Sequence, residues 1–556
     1  MINSFLRTFL VTVLVSCLAL ACIANFGVVR AATDVSGIIS SDTTWTKADS
    51  PYTLTRNMLV GNGVTLTIGA GVTVNLNDYY IMVNGTLNAR GSDADKIQFN
   101  SGEITFTEHS SGWNEQTGSG SIIENANLDS TIVSISSVSP KINSNSLSKI
   151  VIGSSTILTN NIISQEITQS YIVDSPVVSG NTILQGGSFS ASGAAIVSNN
   201  NISGTFRSSN SSGVVSDNTI SGTLIVSGSA SVSNNIVSGC LEVSGSVVAS
   251  NNTATTLRAG GSATVTDNTV LDGFSVVNSD FVTISNNAIN GGIDLSPAGN
   301  NKVNASILSN TITGGKIGIR LAPTSSIFLY ASSRTDAIIS GNIIYDCATA
   351  GIQVNGAGMT QGGHTPLFNT AMIEGNTIVN TNCGIDVTGR EDIRNNIIAN
   401  NEVGIDGGST IEGNLIVNNT YGIKGGDEIR NNTIVNNTVG VEGGFTTLVY
   451  NNIYNNSEYN VRFTSSETPN AKNNWWGTTD VEAINQTIYD YKNDFYLGKV
   501  NFAPFLTEPN PEAPSIQTPI IPEFPSWIIL PLLITATFLI IICKQKLPKT
   551  PSQQSY

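Results

Sequence analysis

The chain has 556 residues, of which 12% are charged and 40% hydrophobic, with 53 glycines and a formal charge of −15. Single cores stop growing well short of this length unless a repeat lets them extend lengthwise. Scarce charge with abundant Gly, Ser, Thr and Asn excludes a disordered polyelectrolyte and a helix-rich chain, and the negative balance excludes nucleic acid as a partner.

Taken from the N-terminus, an apolar run from Phe5 to Ala24 is interrupted only near its start by the lone basic Arg7, with small residues around Val29-Arg30-Ala31. This reads as a secretory signal peptide over 1–31. Leu14-Val15-Ser16-Cys17 also resembles a bacterial lipobox, although the apolar run continues past Cys17.

The body repeats itself. Asn161, Asn181, Asn200, Asn218, Asn235, Asn252, Asn268, Asn287, Asn310, Asn342, Asn376, Asn396, Asn414, Asn432, Asn452 and Asn474 recur at intervals mostly of 16 to 20, widening to 23, 32 and 34 between Asn287 and Asn376. In the clearest copies an Asn-x-apolar triplet is followed by Gly-Ile or Gly-Val, as at Gly422-Ile423 and Gly440-Val441. A period this short, rich in β-branched residues, predicts one coil of a β-solenoid per repeat, with strands alternating inward apolar and outward polar side chains. The recurring Asn is expected to face inward at a turn and bond to the Asn of the next coil. Asn376, Asn396, Asn414, Asn432 and Asn452 would form the best-defined ladder.

The wide intervals require loops to leave the coil. They hold "RLAPTSSIFLYASSRTDA" (320–337) and "GAGMTQGGHTPLFN" (356–369). Arg320, Tyr330, Arg334 and His364, with Phe328 and Phe368, are candidate sugar-binding residues because rings stack on sugars while polar groups bond hydroxyls. The residue after each Gly-Ile or Gly-Val forms an outward column: Arg320, Gln353, Asp386, Asp406, Lys424 and Glu442. Asp386 and Asp406 on adjacent coils would stand about 5 Å apart, a spacing open to glycosidase chemistry, shared cation binding or a solvated stripe. The only histidines, His109 and His364, are isolated.

Near the C-terminus "NNWWGTTDVEAINQTIYDYKNDFYLGKVNFAPFL" (473–506) supplies Trp475 and Trp476 to cover the last coil, and a short helix over Val481 to Ile488. A Pro-rich linker (507–525) leads to the apolar stretch from Trp527 to Cys543 and then Lys544, Lys546 and Lys549. That pattern predicts one transmembrane helix (526–543) and a basic cytoplasmic tail (544–556), with the body outside. Without the leader arginines and tail lysines, 20 basic residues face 40 acidic ones. The exported part keeps Cys240, Cys347 and Cys383, an odd number with no metal-binding spacing, which argues against a zinc site or a disulfide framework and for free buried thiols, with a Cys347–Cys383 encounter as the alternative. Among the Asn-x-Ser/Thr acceptors, Asn84, Asn210 and Asn485 are expected to be exposed glycan sites.

The Asn-x-Ile and Gly-Ile spacing over 145–476 resembles the right-handed parallel β-helix repeat family, the pectin-lyase-like fold. "WTKADSPYTLTRNMLVGNGVTLTIGAGVTVNL" (45–76) is similar to the N-terminal cap of its secreted members, and Pro522-Glu-Phe-Pro-Ser526 resembles the PEF-type sorting signals of archaeal surface proteins. The resemblance implies an all-β chain: an N-terminal cap with first coils (32–108), a right-handed parallel β-helix (109–476) and a C-terminal cap (477–506). It also implies a cell-surface location, with the membrane and cell-surface polysaccharide or surface-layer components as partners. The fold hosts lyases, hydrolases, epimerases and non-catalytic surface proteins, so it does not decide function. The Asn-Thr-Asp, Asp-Asp, Gly-His-Gly and Arg-Ile-Lys motifs of polygalacturonase-like hydrolases are missing; Gly362-Gly363-His364-Thr365 lacks the final Gly. No block matches the calcium-binding Asp cluster of pectate-lyase-like enzymes. The sequence therefore favours a non-catalytic scaffold or glycan-binding rod with no cofactor, against a polysaccharide lyase, hydrolase or epimerase. The family's periplasmic copper-binding accessory proteins of nitrous-oxide respiration form a third class, for which two histidines and no Met-rich cluster offer few ligands.

Overall fold

In a computed structural model, the structure describes residues 32–153, 155–169, 175–184, 188–297, 302–321, 334–355, 369–389 and 391–516. The predicted signal peptide, transmembrane helix and basic tail lie outside these residues. Among the described residues no helix is long and apolar enough to cross a membrane. The chain divides into two units, the first built mainly on residues up to Ile312 and the second on residues from Ile339 onward. Both are β-solenoid, about 20 turns in all, of the right-handed parallel type.

In the first unit parallel pairing begins at once: Thr33–Ile39 pairs with Tyr52–Val60, and Thr43–Trp45 with Thr65–Ile68. Trp45 stacks on Tyr52 at 4.7 Å and both are buried, closing the first coil with aromatic surface. Each later coil repeats short strands in which alternate residues point inward. One column runs Val178, Val197, Val215, Val232, Ala249, Val265 and Ile284 in unbroken register, all at 0–1% exposure. Small aliphatic side chains, mostly valine, stack because the coils have a similar cross-section at that position.

The second unit has three faces per coil. Face A carries Cys383–Val387, Val403–Asp406, Tyr421–Lys424, Val439–Gly443 and Tyr459–Phe463. Face B carries Thr370–Glu374, Asp392–Arg394, Thr410–Glu412, Glu428–Arg430 and Thr447–Val449. Face C carries Thr377–Val379, Ile397–Ala399, Leu415–Val417, Thr433–Val435 and Asn452–Tyr454. The only α-helix among the described residues, α1 (Val481–Gln486), is capped by the Asp480 carboxylate and buries Ile484. Ile488–Tyr489 then adds to Val461 and Arg462, and Trp476 is buried against Phe502.

The corner before face C holds a ladder of buried asparagines. In the first unit it runs Asn145, Asn161, Asn181, Asn200, Asn218, Asn235, Asn252, Asn268, Asn287 and Asn310, each backbone N–H donating to the next Oδ1 at 2.8–3.1 Å. In the second it runs Asn342, Asn376, Asn396, Asn414, Asn432, Asn451 and Asn474. Asn414 shows the unit of repetition. Its N–H and Nδ2 both donate to Asn432 Oδ1 at 2.9 and 3.0 Å, and Nδ2 also reaches Ile393 O and Glu412 O. Asn414 Oδ1 accepts in turn from Asn396, so both polar atoms of this buried side chain are satisfied.

One expectation needs correction. Asn452 is not a ladder residue; Asn451 is, because the triplet in that coil is Asn451-x-Ile453. Asn452 instead lies on face C, where its Oδ1 accepts from Asn510 N–H at 2.7 Å and its Nδ2 donates to Asn510 O at 3.2 Å. The left-handed conformation belongs to the residue before each ladder Asn, as at Asn160, Asn199, Asp217, Asn234, Asn395 and Asn431, with φ between 54° and 58°. Asn and Asp adopt that conformation at least cost.

A second ladder, in the corner between faces C and A of the second unit, passes from Thr381 through Asn401, Asn419 and Asn437 to Asn456. It explains the Gly-Ile signature. A methyl group added at Gly422 would meet Gly440 O at 2.5 Å and Asn437 Nδ2 at 3.2 Å, and one at Gly404 would meet Gly422 O at 2.4 Å. Side chains are excluded because the ladder amide and the next backbone fill the space.

Two stability predictions follow from these corners. Replacing Asn432 with Leu leaves the Asn414 donors without their acceptor, at about 1–3 kcal/mol per unsatisfied group; a urea melt should shift accordingly, and an unchanged midpoint would remove the ladder's structural role. Gly422→Ala should cost about 1–3 kcal/mol through overpacking, read in the same melt, whereas a neutral result would mean that the corner has room.

Candidate functional site

The outward position of face A aligns Gln353, Asp386, Asp406, Lys424, Glu442 and Arg462 in continuous register. Outward pointing follows from strand alternation, since Ile385, Ile405, Ile423, Val441 and Val461 beside them are fully buried. Asp386 and Asp406 are therefore direct neighbours on successive coils.

The column is knit together pair by pair. Gln353 Nε2 donates to Asp386 Oδ2 at 2.7 Å. Lys424 Nζ sits 3.9 Å from the Tyr421 ring centroid, and Arg462 lies 3.5 Å from Glu442 while also bonding Glu458. Although Asp406 is exposed as a residue, partial burial of its carboxylate and then the facing Asp386 hold it above the usual aspartate range, with Lys424 pulling the other way. Burial, followed by Asp346, pushes the Cys347 thiol up to about 12. Burial, followed by Asp386 and Asp406, does the same to Cys383. Both thiols are free. An open sheet face with two carboxylates, an amide and a lysine has the donors and acceptors to bond sugar hydroxyls.

Of the other predicted residues, Arg320 lies on Ile317–Leu321, which pairs with Ala350–Val354, the strand that carries Gln353, and the exposed Arg334 pairs with Asp336 at 2.7 Å. Tyr330 and His364 lie outside the described residues, with Phe328 and Phe368. Of the glycan acceptors, Asn84 and Asn485 are half-buried rather than exposed; Asn84 Oδ1 accepts from Thr107 Oγ1 at 2.8 Å, and Asn485 is in α1. Nothing is described of the Asn210 side chain. Several other acceptors, including Asn251, Asn418 and Asn436, are left-handed turn residues followed by a ladder Asn and an outward Thr. The turn accounts for the first two residues of that triplet without any glycan.

Sequence reasoning missed two features. Face B carries an alternating column, Glu374, Arg394, Glu412 and Arg430, whose trace is the run of triplets Asp392-Ile-Arg394, Thr410-Ile-Glu412 and Glu428-Ile-Arg430. Glu391, at the corner between faces A and B, is only 4% exposed; burial raises its pKa, and its Oε2 has no hydrogen-bond partner.

Because the folded protein holds a proton on Asp406 at higher pH than the unfolded chain does, ionised Asp406 weakens the fold at neutral pH and the burden lifts as pH falls through the raised value. Asp406→Asn should therefore raise the melting temperature at pH 7. The gain should vanish below about pH 4, where aspartate is protonated in both states. A gain that persists in acid, or a loss at pH 7, would contradict this sign.

A family model described as "Periplasmic copper-binding protein (NosD)" matches residues 325–493. No curated protein and no solved structure matches the chain. Copper(I) selects thiolate and thioether ligands. The described soft donors in the matched span are Cys347, Cys383 and Met372. Both thiols are held near 12, which disfavours thiolate, and Met372 is on face B while Cys383 is on face A. No group of three or more His, Cys, Asp or Glu side chains among the described residues is arranged to hold an ion. The described residues do not fit copper. What the match and the coil pairing support together is that the chain is a parallel β-helix repeat protein, similar over 325–493 to the NosD periplasmic copper-binding family.

Proposed function

We propose that this protein is an exported β-helix scaffold that binds glycan at the cell surface without transforming it. The family named for its periplasmic members supports export. The apolar stretch 526–543 followed by three lysines supports a membrane anchor. The observation that carries the reading is the mutual pairing along face A: Gln353 bonds Asp386, Tyr421 receives Lys424, and Glu442 receives Arg462. Groups tied to one another on an open sheet form a stable polar surface suited to bonding hydroxyls. An acid–base pair would need to flank a substrate in a shielded site.

One observation favours the enzymatic alternative, a polysaccharide lyase, hydrolase or epimerase. Asp386 and Asp406 are adjacent, and burial and the facing Asp386 hold Asp406 above the usual aspartate range, as a general acid requires. Incubating the purified full-length protein with a polysaccharide panel distinguishes the readings. The expected result is retention on at least one polysaccharide with no new reducing or unsaturated ends. New ends abolished by Asp406→Asn would establish the enzyme instead, and no retention on any member would contradict the glycan-binding reading.

A further inference from the structure

Face C of the second unit is apolar on its outer side. Strand alternation turns two columns outward around the inward Ile378, Ile398, Ile416 and Ile434. One column runs Thr377, Ile397, Leu415, Thr433 and Asn452, and the other Val379, Ala399, Val417, Val435 and Tyr454. Leu415 is 5% exposed, and Val379, Ala399, Val417 and Val435 are fully buried; the five form one cluster, against which Tyr345, Ile397 and Tyr454 pack. In the first unit the residue three places after a ladder Asn is mostly polar, as at Ser164, Ser203, Ser221, Ser238 and Thr255, and the apolar Leu184 is left 42% exposed. Outward residues of a sheet become buried only when something lies on that sheet, so face C is a covered surface.

The cover begins with the segment that follows the C-terminal cap. Asn510 is 8% exposed; its N–H donates to Asn452 Oδ1, and its Nδ2 donates to Asn431 Oδ1 at 3.1 Å and to Tyr450 O. One coil further along, Thr433 Oγ1 donates to Pro514 O, and Ala513 is buried. This strap therefore climbs the first outward column from Asn452 to Thr433. The next members of that column, Leu415 and Ile397, are apolar. Beyond Ile516 the sequence continues Gln-Thr-Pro-Ile-Ile-Pro-Glu-Phe-Pro (517–525), which lies outside the described residues.

We propose that residues 517–525 dock on face C and cover this cluster, seating Ile520, Ile521 and Phe524 against Leu415, Ile397, Ala399 and Val379. The reach is sufficient. Three coils separate Thr433 from Thr377, about 14 Å at the usual strand spacing, and nine residues of extended Pro-rich chain span about 28 Å. Such a chain has no internal hydrogen bonds to break and little conformational freedom to lose, so it suits a face whose backbone is already paired coil to coil. A second copy of the chain fits less well, because the strap already occupies Thr433 and Asn452 and its continuation is held at an effective concentration on the order of millimolar. The Pro-rich segment is then a clasp instead of a free tether, and the apolar stretch 526–543 departs from the flank of the second unit beside face C.

The test places the photo-cross-linking residue p-benzoylphenylalanine at Phe524 of the purified full-length protein in detergent, a change that leaves the coils untouched. Illumination should give an adduct within one chain, mapped by mass spectrometry to Thr377–Val379, Ile397–Ala399 or Leu415–Val417. Adducts only between two copies, adducts only with detergent, or none on face C would each overturn the proposal. A second measurement follows the thiol of Leu415→Cys, read on the tryptic peptide 395–424, which holds no native cysteine. Its reaction with a water-soluble maleimide should be about tenfold or more faster once Ile520→Ser, Ile521→Ser and Phe524→Ser are added, as for a site uncovered by local opening. Equal rates in two proteins with the same melting temperature would contradict the clasp.

Discussion

A carboxamide buried at every turn must be answered by the next coil, and this constraint organises the molecule. An unpaired buried amide costs about 1–3 kcal/mol, so a single ladder Asn is a liability and a stack of them is a satisfied network. The requirement fixes the height and register of each coil at that corner. It leaves the rest of the perimeter free to vary. Asn342 and Asn376 are separated by 34 residues, yet they bond at 3.0 Å as their closer-spaced neighbours do. Length is therefore absorbed away from the ladder, and loops can change without disturbing the core.

The second ladder places a further demand on the later coils. With Asn401, Asn419, Asn437 and Asn456 filling the corner before face A, glycine is required at Gly384, Gly404, Gly422 and Gly440. The backbone then enters face A in one fixed path, so the following side chains align as a column. The polar surface of face A is thus set by the packing inside the adjacent corner. Face B owes its charge pattern to the same registration, which brings Glu374, Arg394, Glu412 and Arg430 into sequence along the axis.

Much of this was legible because the repeat is short and its signals are local. The period, the inward Asn, the Gly-Ile column and the adjacency of Asp386 and Asp406 all follow from counting residues. The error at Asn452 arose from a doublet: in Asn451-Asn452-Ile453 either Asn can begin an Asn-x-apolar match by eye, and only the left-handed turn residue before the ladder fixes the frame. That residue is Tyr450, at φ 59°, where other coils use Asn, Asp, Ser or Gly. The second ladder was also readable in the doublets Asn400-Asn401, Asn418-Asn419 and Asn436-Asn437, whose first members have positive φ and whose second members are buried. The docking of Asn510 was not readable, because it depends on contacts made by a segment outside the repeat.

Within each unit the coils offer polar columns whose spacing is set from within, and the functional proposal depends on this frame. Its central claim is that the asparagine carboxamides are structural and interior. Side-chain hydrogen exchange on the protein labelled at asparagine tests this most directly. The account predicts a large class of carboxamide protons that exchange only on global unfolding, as expected for core groups. Exchange of all asparagine carboxamides as fast as an exposed side chain would contradict it.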